Sequence, residues 1–477
     1  MKYFITSFIF VSSLFAVVNI PDTAQDFCSD NNSKIVCQKT GTAFGGQDAS
    51  YNINPPSYED NGDGTVTDKV TGLMWSKAVE DEKLSLDEAT QKARTLTLAG
   101  YNDWRVPTIK ELYSLMDFRG YTGSSRYNQD KSQAPSNAIP FINTDYFDFK
   151  YGNSNERYID AQWLSSTKYV STTMNGMETL FGVNFADGRI KGYGYQKLGT
   201  NRSMKKFYVR YVRGTTQYGK NNFVDNGDAT LTDKSTNLMW TKMDSKRAMS
   251  WSEALKYAND LKLGGYDDWR LPNAKELEYI VDYTRSPDTT SSPAIDPLFE
   301  LTSITNEAGQ RDYPYYWSST THQDGPRQYE HAAYISFGRA LGKMRGVVMD
   351  VHGAGAQRSD PKSGYALFRG PQGDAVRSNN YVICVRGGNE TSQAQKASSN
   401  QYPNKLRVLA NNSNEIFSRT HNNQQSSQKS GFVSRLDRDG DNRVSRAEFD
   451  GPPDRFDFHD ANHDGFLEED EAPQFRR

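Results

Sequence analysis

The hydrophobic and polar positions of this chain run through one series of patterns twice. DNGDGTVTD at 60–68 and DNGDATLTD at 225–233 place Asn-Gly and Asp-Gly turn chemistry before short β-branched segments, with TGLMW and TNLMW following, so each stretch is expected to open with a hairpin. Two helices should come next. Ser85-Leu-Asp-Glu88 and Ser250-Trp-Ser-Glu253 read as capping boxes; Leu86, Ala89, Ala93 and Leu96 then recur at helical spacing up to the expected stop at Gly100, and Gly265 is the stop in the second stretch. Thr108-Ile-Lys-Glu111 and Asn273-Ala-Lys-Glu276 start the second helix just after Pro107 and Pro272. Residues 60–117 and 225–282 match without a gap at an offset of 165 positions, so each copy checks the other.

Beyond the helices the copies diverge. Segments 118–160 and 285–313 carry no sustained period and read as long loops. Strand patterns resume in WLSST (163–167) and YWSST (316–320), VNFADGRI (183–190) and YISFGRAL (334–341), and YVRYVRG (208–214) and YVICVRG (381–387). The expected fold class is α+β, with one copy at 55–215 and the other at 220–389. A stretch found only in copy two, VHGAGAQRSDPKSGYALFRGPQGDAV, contains His352 and is read as either a ligand surface or a packing or dimer loop.

At the start, Lys2 precedes an apolar run from Phe4 to Val18, shorter than the roughly 20 residues that span a bilayer. That favours a cleaved export signal over residues 1–24, with an uncleaved N-terminal anchor as the alternative; Ala24 is the candidate cleavage point, although Asp22 fits the small-x-small rule badly. No stable membrane span is expected after cleavage. The destination would be the periplasm, the cell surface or the outside. In an oxidising compartment Cys28 and Cys37, within segment 25–54, should bridge, while Cys384 reads as a buried core thiol.

Composition narrows the classes. With 36% hydrophobic and 12% aromatic residues over 477 positions the chain can bury real cores, and a net charge of −3 argues against a nucleic-acid partner. The charge is uneven: residues 430–477 hold thirteen Asp/Glu against seven Lys/Arg, a net of −6 that leaves +3 on the remainder. Segment 390–429, dominated by Asn, Gln, Ser and Lys, should be a tether.

The string DNGDGTVTD…TGLMW…GYNDWRVPTIKEL…WLSST…YVRYVRG resembles the Legionella collagen-like protein C-terminal domain family, and both copies match. The resemblance implies a relationship to the C-type lectin-like fold and a binding module at a cell surface, its namesake being similar to an adhesin for host glycosaminoglycans. The Glu-Pro-Asn, Gln-Pro-Asp and Trp-Asn-Asp tripeptides of calcium-dependent sugar-binding lectins are absent, so sugar recognition would need other side chains. Copy one has neither cysteine nor histidine, which excludes a Cys/His nucleophile or a histidine-bound zinc shared by the pair, and no enzyme is expected. Asp103-Trp104-Arg105 and Asp268-Trp269-Arg270 read as buried Trp with flanking ion pairs that fix the turn into the second helix. The carboxylates Asp60, Asp63, Asp68, Asp225, Asp228 and Asp233 are explained by turns, with calcium as the lesser alternative. Tyr158, Trp163, Tyr315 and Trp317 border the long loops as candidate ligand-stacking faces, with core packing as the alternative.

The strongest metal chemistry lies at the far end. Asp437, Asp439, Asp441, Arg443, Ser445 and Glu448, and again Asp460, Asn462, Asp464, Phe466, Glu468 and Glu471, occupy positions 1, 3, 5, 7, 9 and 12 of two EF-hand loops, Arg443 and Phe466 through their backbone carbonyls. Residues 430–477 are therefore expected to form a small all-α EF-hand pair binding Ca2+, with Val444 and Leu467 joining the loops by a short β contact. The reading as a whole is an exported calcium-binding protein with tandem lectin-like domains for a glycan or cell-surface protein. The alternative is an assembly protein whose EF-hand pair docks a partner when calcium binds.

Overall fold

The computed structural model describes residues 17–123, 132–153, 155–196, 204–364, 368–370, 372–388, 443–446, 448–449 and 466–467. They fall into two compact units divided after Asn412. The predicted tether at 390–429 lies outside the described residues, as does most of 430–477. Among the described residues no helix is long and apolar enough to cross a membrane.

Among its described residues the first unit is mainly β-sheet with four short α-helices: α1 (Leu86–Thr95), α2 (Ile109–Tyr113), α3 (Trp251–Asp260) and α4 (Ala274–Tyr279). Each helix begins at a complete capping box, in which Ser85, Thr108, Ser250 and Asn273 accept from the backbone of a glutamate three residues on, and that glutamate accepts from the cap's N–H in return. The first helix of each copy stops earlier than its glycine suggests. Leu96 is already extended, and the chain then folds into a tight turn in which Leu98 and Tyr101 exchange backbone hydrogen bonds; Leu263 and Tyr266 repeat the exchange. Gly100 and Gly265 serve that turn, with φ of +78° and +82°.

Each copy opens as a meander whose last strand pairs with the copy's C-terminal end. Tyr58–Asp60, Thr65–Asp68 and Met74–Ser76 run beside one another, and Val212–Arg213 closes the sheet; Phe223–Asp225, Thr230–Asp233, Leu238–Thr241 and Val385–Arg386 do the same. The strands after the helices join into one six-stranded sheet that crosses the boundary between copies. Its order is 315–322, 331–336, 357–361, 189–194, 177–184, 162–173.

One strand of the central pair of that sheet, Gln357–Pro361, comes from the stretch unique to copy two; its neighbour Arg189–Gly194 belongs to copy one. By sequence, Leu341–Met344 corresponds to the start of Arg189–Gly194, yet it leaves the large sheet and pairs with Val347–Asp350 and Asp374. Gln357–Pro361 takes the vacated edge beside His331–Ser336 and reaches copy one through Gln357 and Ile190. The insertion read as a possible ligand loop is thus the strand that stitches the copies together.

The helices meet reciprocally. Lys110 Nζ donates to the Tyr279 carbonyl at 2.5 Å, and Lys275 Nζ donates to the Ser114 carbonyl at 2.8 Å. Both pairs are related by the 165-residue offset, so each copy offers the other the same contact, as in a two-fold homodimer fused into one chain. Burial pulls both lysines down to about 8. One buried cluster, containing Trp75, Trp163, Trp240 and Tyr316, runs through both copies.

The expected signal boundary at Ala24 falls inside the fold. Val18 donates to the Ser235 carbonyl, Ile20, Asp22 and Thr23 are buried, and Phe118 donates to the Thr23 carbonyl at 2.9 Å. Apolar Val18 and Ile20 therefore continue into the core, which the unbroken hydrophobic run concealed. Cys28 and Cys37 form a disulfide that closes the short hairpin Cys28–Ser29 with Lys34–Ile35, and Cys384 is free and buried.

Candidate functional site

The aromatic residues bordering the loops do not present open faces. Trp163 is fully buried against Phe185 and Tyr208, with the Arg210 guanidinium 5.0 Å from its ring. Tyr315 is stacked on Tyr334 at 4.5 Å and covered on its other side by Arg377 at 3.9 Å; the Trp317 indole N–H donates to the Met249 carbonyl at 3.0 Å. Tyr158 is half-buried, its hydroxyl donating to the Thr122 carbonyl at 3.2 Å. Sugar stacking on Trp163, Tyr315 or Trp317 is corrected to core packing, because each ring is buried under neighbouring side chains. His352 is buried too, facing Asp374 at 2.9 Å, and burial holds its imidazole down at about 4.

The repeated carboxylates are committed to turns and ion pairs. Asp60 and Asp225 accept from the N–H of Gly62 and Gly227, while Asp63 and Asp228 accept from both the N–H and hydroxyl of Thr65 and Thr230. Asp68 accepts from Val70 and Thr71, and Asp233 from Asn222 and Ser235. Among the described residues no group of three His, Cys, Asp or Glu side chains is placed to hold a metal. In the Asp-Trp-Arg motifs the Asp and Arg pair with other residues and not with each other. Asp103 and Asp268 clamp Arg213 and Arg386, while Arg105 and Arg270 make two-pronged pairs to Glu111 and Glu276 at 2.5–2.7 Å.

These two Arg–Glu pairs mark the place where the copies differ. In copy one a cleft of about 720 Å³ opens beside Arg105 and Glu111, walled by Thr167 of the first long strand, Thr216 and Tyr218 of the inter-copy segment, and Val281 of copy two. Arg105 keeps 28% of its side chain exposed. In copy two the same place is filled by the chain's own N-terminal segment, and Arg270 is 2% exposed.

The filling is specific. Asp48 accepts from the Thr320 hydroxyl at 2.5 Å and from Thr23 at 2.7 Å; the Gln25 amide exchanges two hydrogen bonds with the Thr321 backbone; the Tyr51 ring lies 5.2 Å from the Arg270 guanidinium. Ser319, Thr320 and Thr321 are consequently buried, whereas their counterparts in copy one, Ser166, Thr167 and Lys168, are exposed, half-buried and exposed. Sequence reasoning missed this cleft. One signal was available: residues 17–50 have no counterpart ahead of copy two, so the two copies start with different neighbours.

In the second unit Val444 and Ser445 pair antiparallel with Leu467 and Phe466. Ser445 donates through its N–H and hydroxyl to Glu448 at 2.8 and 2.7 Å, and Arg443 lies 4.1 Å from the Phe466 ring. Asp437, Asp439, Asp441, Asp460, Asn462, Asp464, Glu468 and Glu471 lie outside the described residues.

The repeated meander, paired helices and closing strands define tandem β-rich domains of one type. The chain belongs to the Lcl C-terminal domain family, which matches residues 64–213 and 229–351. No curated protein and no solved structure matches it.

Proposed function

We propose that this protein is an exported binding protein that recognises a glycan or a cell-surface protein through the cleft of copy one, and carries a C-terminal EF-hand pair for calcium. The observation that supports this most directly is the asymmetry of the cleft. Arg270 and Thr320 are sealed in copy two, whereas their counterparts Arg105 and Thr167 are partly exposed in copy one beside a cavity of about 720 Å³, within the size range of ligand sites. Two copies that pack reciprocally but differ in what covers this place suit a scaffold in which copy one carries the ligand site.

The hard-oxygen set at Asp437, Asp439, Asp441, Ser445 and Glu448, and at Asp460, Asn462, Asp464, Glu468 and Glu471, fits calcium, with the carbonyls of Arg443 and Phe466 completing each loop. The pairing of Val444 with Leu467 supports it, because paired EF-hand loops meet at that position. Calcium bound there would neutralise clustered carboxylates and order the segment.

A glycan and glycosaminoglycan array probed with the full chain, with and without calcium, tests the reading. Binding that survives deletion of residues 390–477 and is lost when Ser166→Trp fills the cleft is the expected result. Binding unaffected by Ser166→Trp rejects the cleft. A second reading, calcium-dependent docking of a partner by the EF-hand pair, predicts that deletion of residues 390–477 releases a co-purifying protein.

A further inference from the structure

The copies share a scaffold but differ in what covers it, and copy two displays a bound occupant. There the chain's own residues 20–25 and 47–51 lie in the place that is open in copy one, making three kinds of contact. The Asp48 carboxyl accepts a hydrogen bond from the Thr320 hydroxyl; the Gln25 amide reads the backbone of the same strand at Thr321; and the Tyr51 ring covers the guanidinium of Arg270. The receiving groups recur in copy one. Thr167 corresponds to Thr320, and each accepts from the first helical N–H of its copy, Ile109 at 3.0 Å and Ala274 at 2.9 Å. Arg105 corresponds to Arg270 and is held in the same two-pronged pair.

Among the described residues copy one has no such occupant. At the register of Tyr51 it has Thr216, too small to cover a guanidinium, and nothing equivalent to residues 17–50 precedes copy two.

Resting on the reading that the copy-one cleft is the ligand site, we infer that its ligand is an extended polypeptide segment of another protein, carrying an Asp or Glu next to an aromatic residue. The carboxylate accepts from the Thr167 hydroxyl, the aromatic ring covers Arg105, and the extended backbone follows the exposed strand at Ser166 and Lys168. The chain's own N-terminal segment cannot serve, because copy two holds it: the Asp22 carbonyl accepts from Lys275, Gln25 pairs with the Thr321 backbone, and Asp48 accepts from Thr320.

A displayed library of random peptides selected on the full-length protein tests this. The expected result is enrichment of peptides that pair a carboxylate with an aromatic residue and bind one per chain. They should lose roughly tenfold or more in affinity when the carboxylate becomes an amide, the scale of one charge-assisted hydrogen bond. Thr167→Val should weaken them similarly. Because Thr167 also accepts from Ile109, Ser166→Trp is the companion variant: it lies on the exposed rim, gives up only one hydroxyl hydrogen bond, to the Pro107 carbonyl at 3.2 Å, and should abolish binding with little change in melting temperature. Failure to select any peptide, or selected peptides indifferent to Ser166→Trp, overturns the inference. If peptides fail while a glycan binds and is displaced by Ser166→Trp, the cleft stands as a ligand site and only its peptide ligand is rejected; if no ligand of either kind responds to Ser166→Trp, both readings fall.

Discussion

At the level of single residues the duplication supplies its own controls. Glu111 and Glu276 do the same two jobs, closing a capping box and pairing with an arginine, but Arg105 remains 28% exposed and Arg270 only 2%. Replacing either glutamate with alanine removes the same cap. The arginine left behind differs: Arg105 can turn to water, whereas Arg270 is stranded under Tyr51, and an unpaired buried charge costs about 3–5 kcal/mol. Glu276→Ala should therefore destabilise the protein by about 1–3 kcal/mol more than Glu111→Ala, measured by urea denaturation; equal losses would show that the N-terminal cover does not seal Arg270. Asp350 gives a pH-dependent test. Burial pushes its carboxyl up to about 7, against hydrogen bonds from Gly353 and the Tyr169 hydroxyl that hold it down. The native state then binds this proton more tightly than the unfolded chain, so its contribution is complete below about pH 4 and is lost as pH rises to about 7. Asp350→Asn keeps an acceptor for Tyr169 and removes the titration. Its stability relative to the parent should improve by a few kcal/mol from about pH 4 to about pH 7 in denaturant melts, and a difference independent of pH would reject the assignment.

Among the elements, the N-terminal segment does the most unexpected work. The hairpin closed by Cys28 and Cys37 presents Ser29 to Lys362 and to Thr321, at 2.6 and 2.9 Å, and so pins the segment to the sheet of copy two. Serine at both cysteines should lower stability by up to about 3 kcal/mol, the entropy of a loop this short. Hydrogen exchange should then quicken along 315–322 and stay nearly unchanged along 162–173; equal quickening of both strands would mean that the hairpin does not act through copy two. The helix starts were legible because a capping box is spelled within four residues, and both hairpins because Asn-Gly and Asp-Gly fix a turn locally. Strand partnership was not. Leu341–Met344 and Gln357–Pro361 exchange places beside His331–Ser336, and nothing in either segment's alternation names its neighbour. For the same reason Trp163 and Trp317 looked like loop-edge aromatics: their burial depends on layers contributed by distant segments. The cleft was illegible because it lies between copies, and its closure in copy two depends on Gln25, Asp48 and Tyr51, in a segment whose sequence signalled only a cysteine-closed loop.

For the whole molecule, the shared core decides how the chain comes apart. Residues 17–388 contain one sheet running through both copies and one cluster of buried side chains spanning them, so neither copy can open without exposing the other. They should melt in a single transition that calcium does not move. Residues 430–477 are too few to hold a core of their own and carry a net charge of −6, which folding would compress. On the proposed calcium reading, bound ions would supply the missing term by taking the clustered carboxylates as ligands, so the segment should gain helix only when the ion binds. Calorimetry of the full chain with calcium should show a second, separate transition that disappears in chelator, and titration should give two ions with dissociation constants on the order of micromolar to millimolar. Magnesium should substitute poorly, since its rigid octahedron at about 2.1 Å cannot draw in a loop built for six to eight oxygens. Glu448→Gln and Glu471→Gln each remove half of a two-oxygen contact and should each cost one ion at moderate calcium. A full-length chain that binds no calcium, or whose helicity is the same in calcium and in chelator, would reduce residues 430–477 to an acidic tail and leave the assembly reading without its switch.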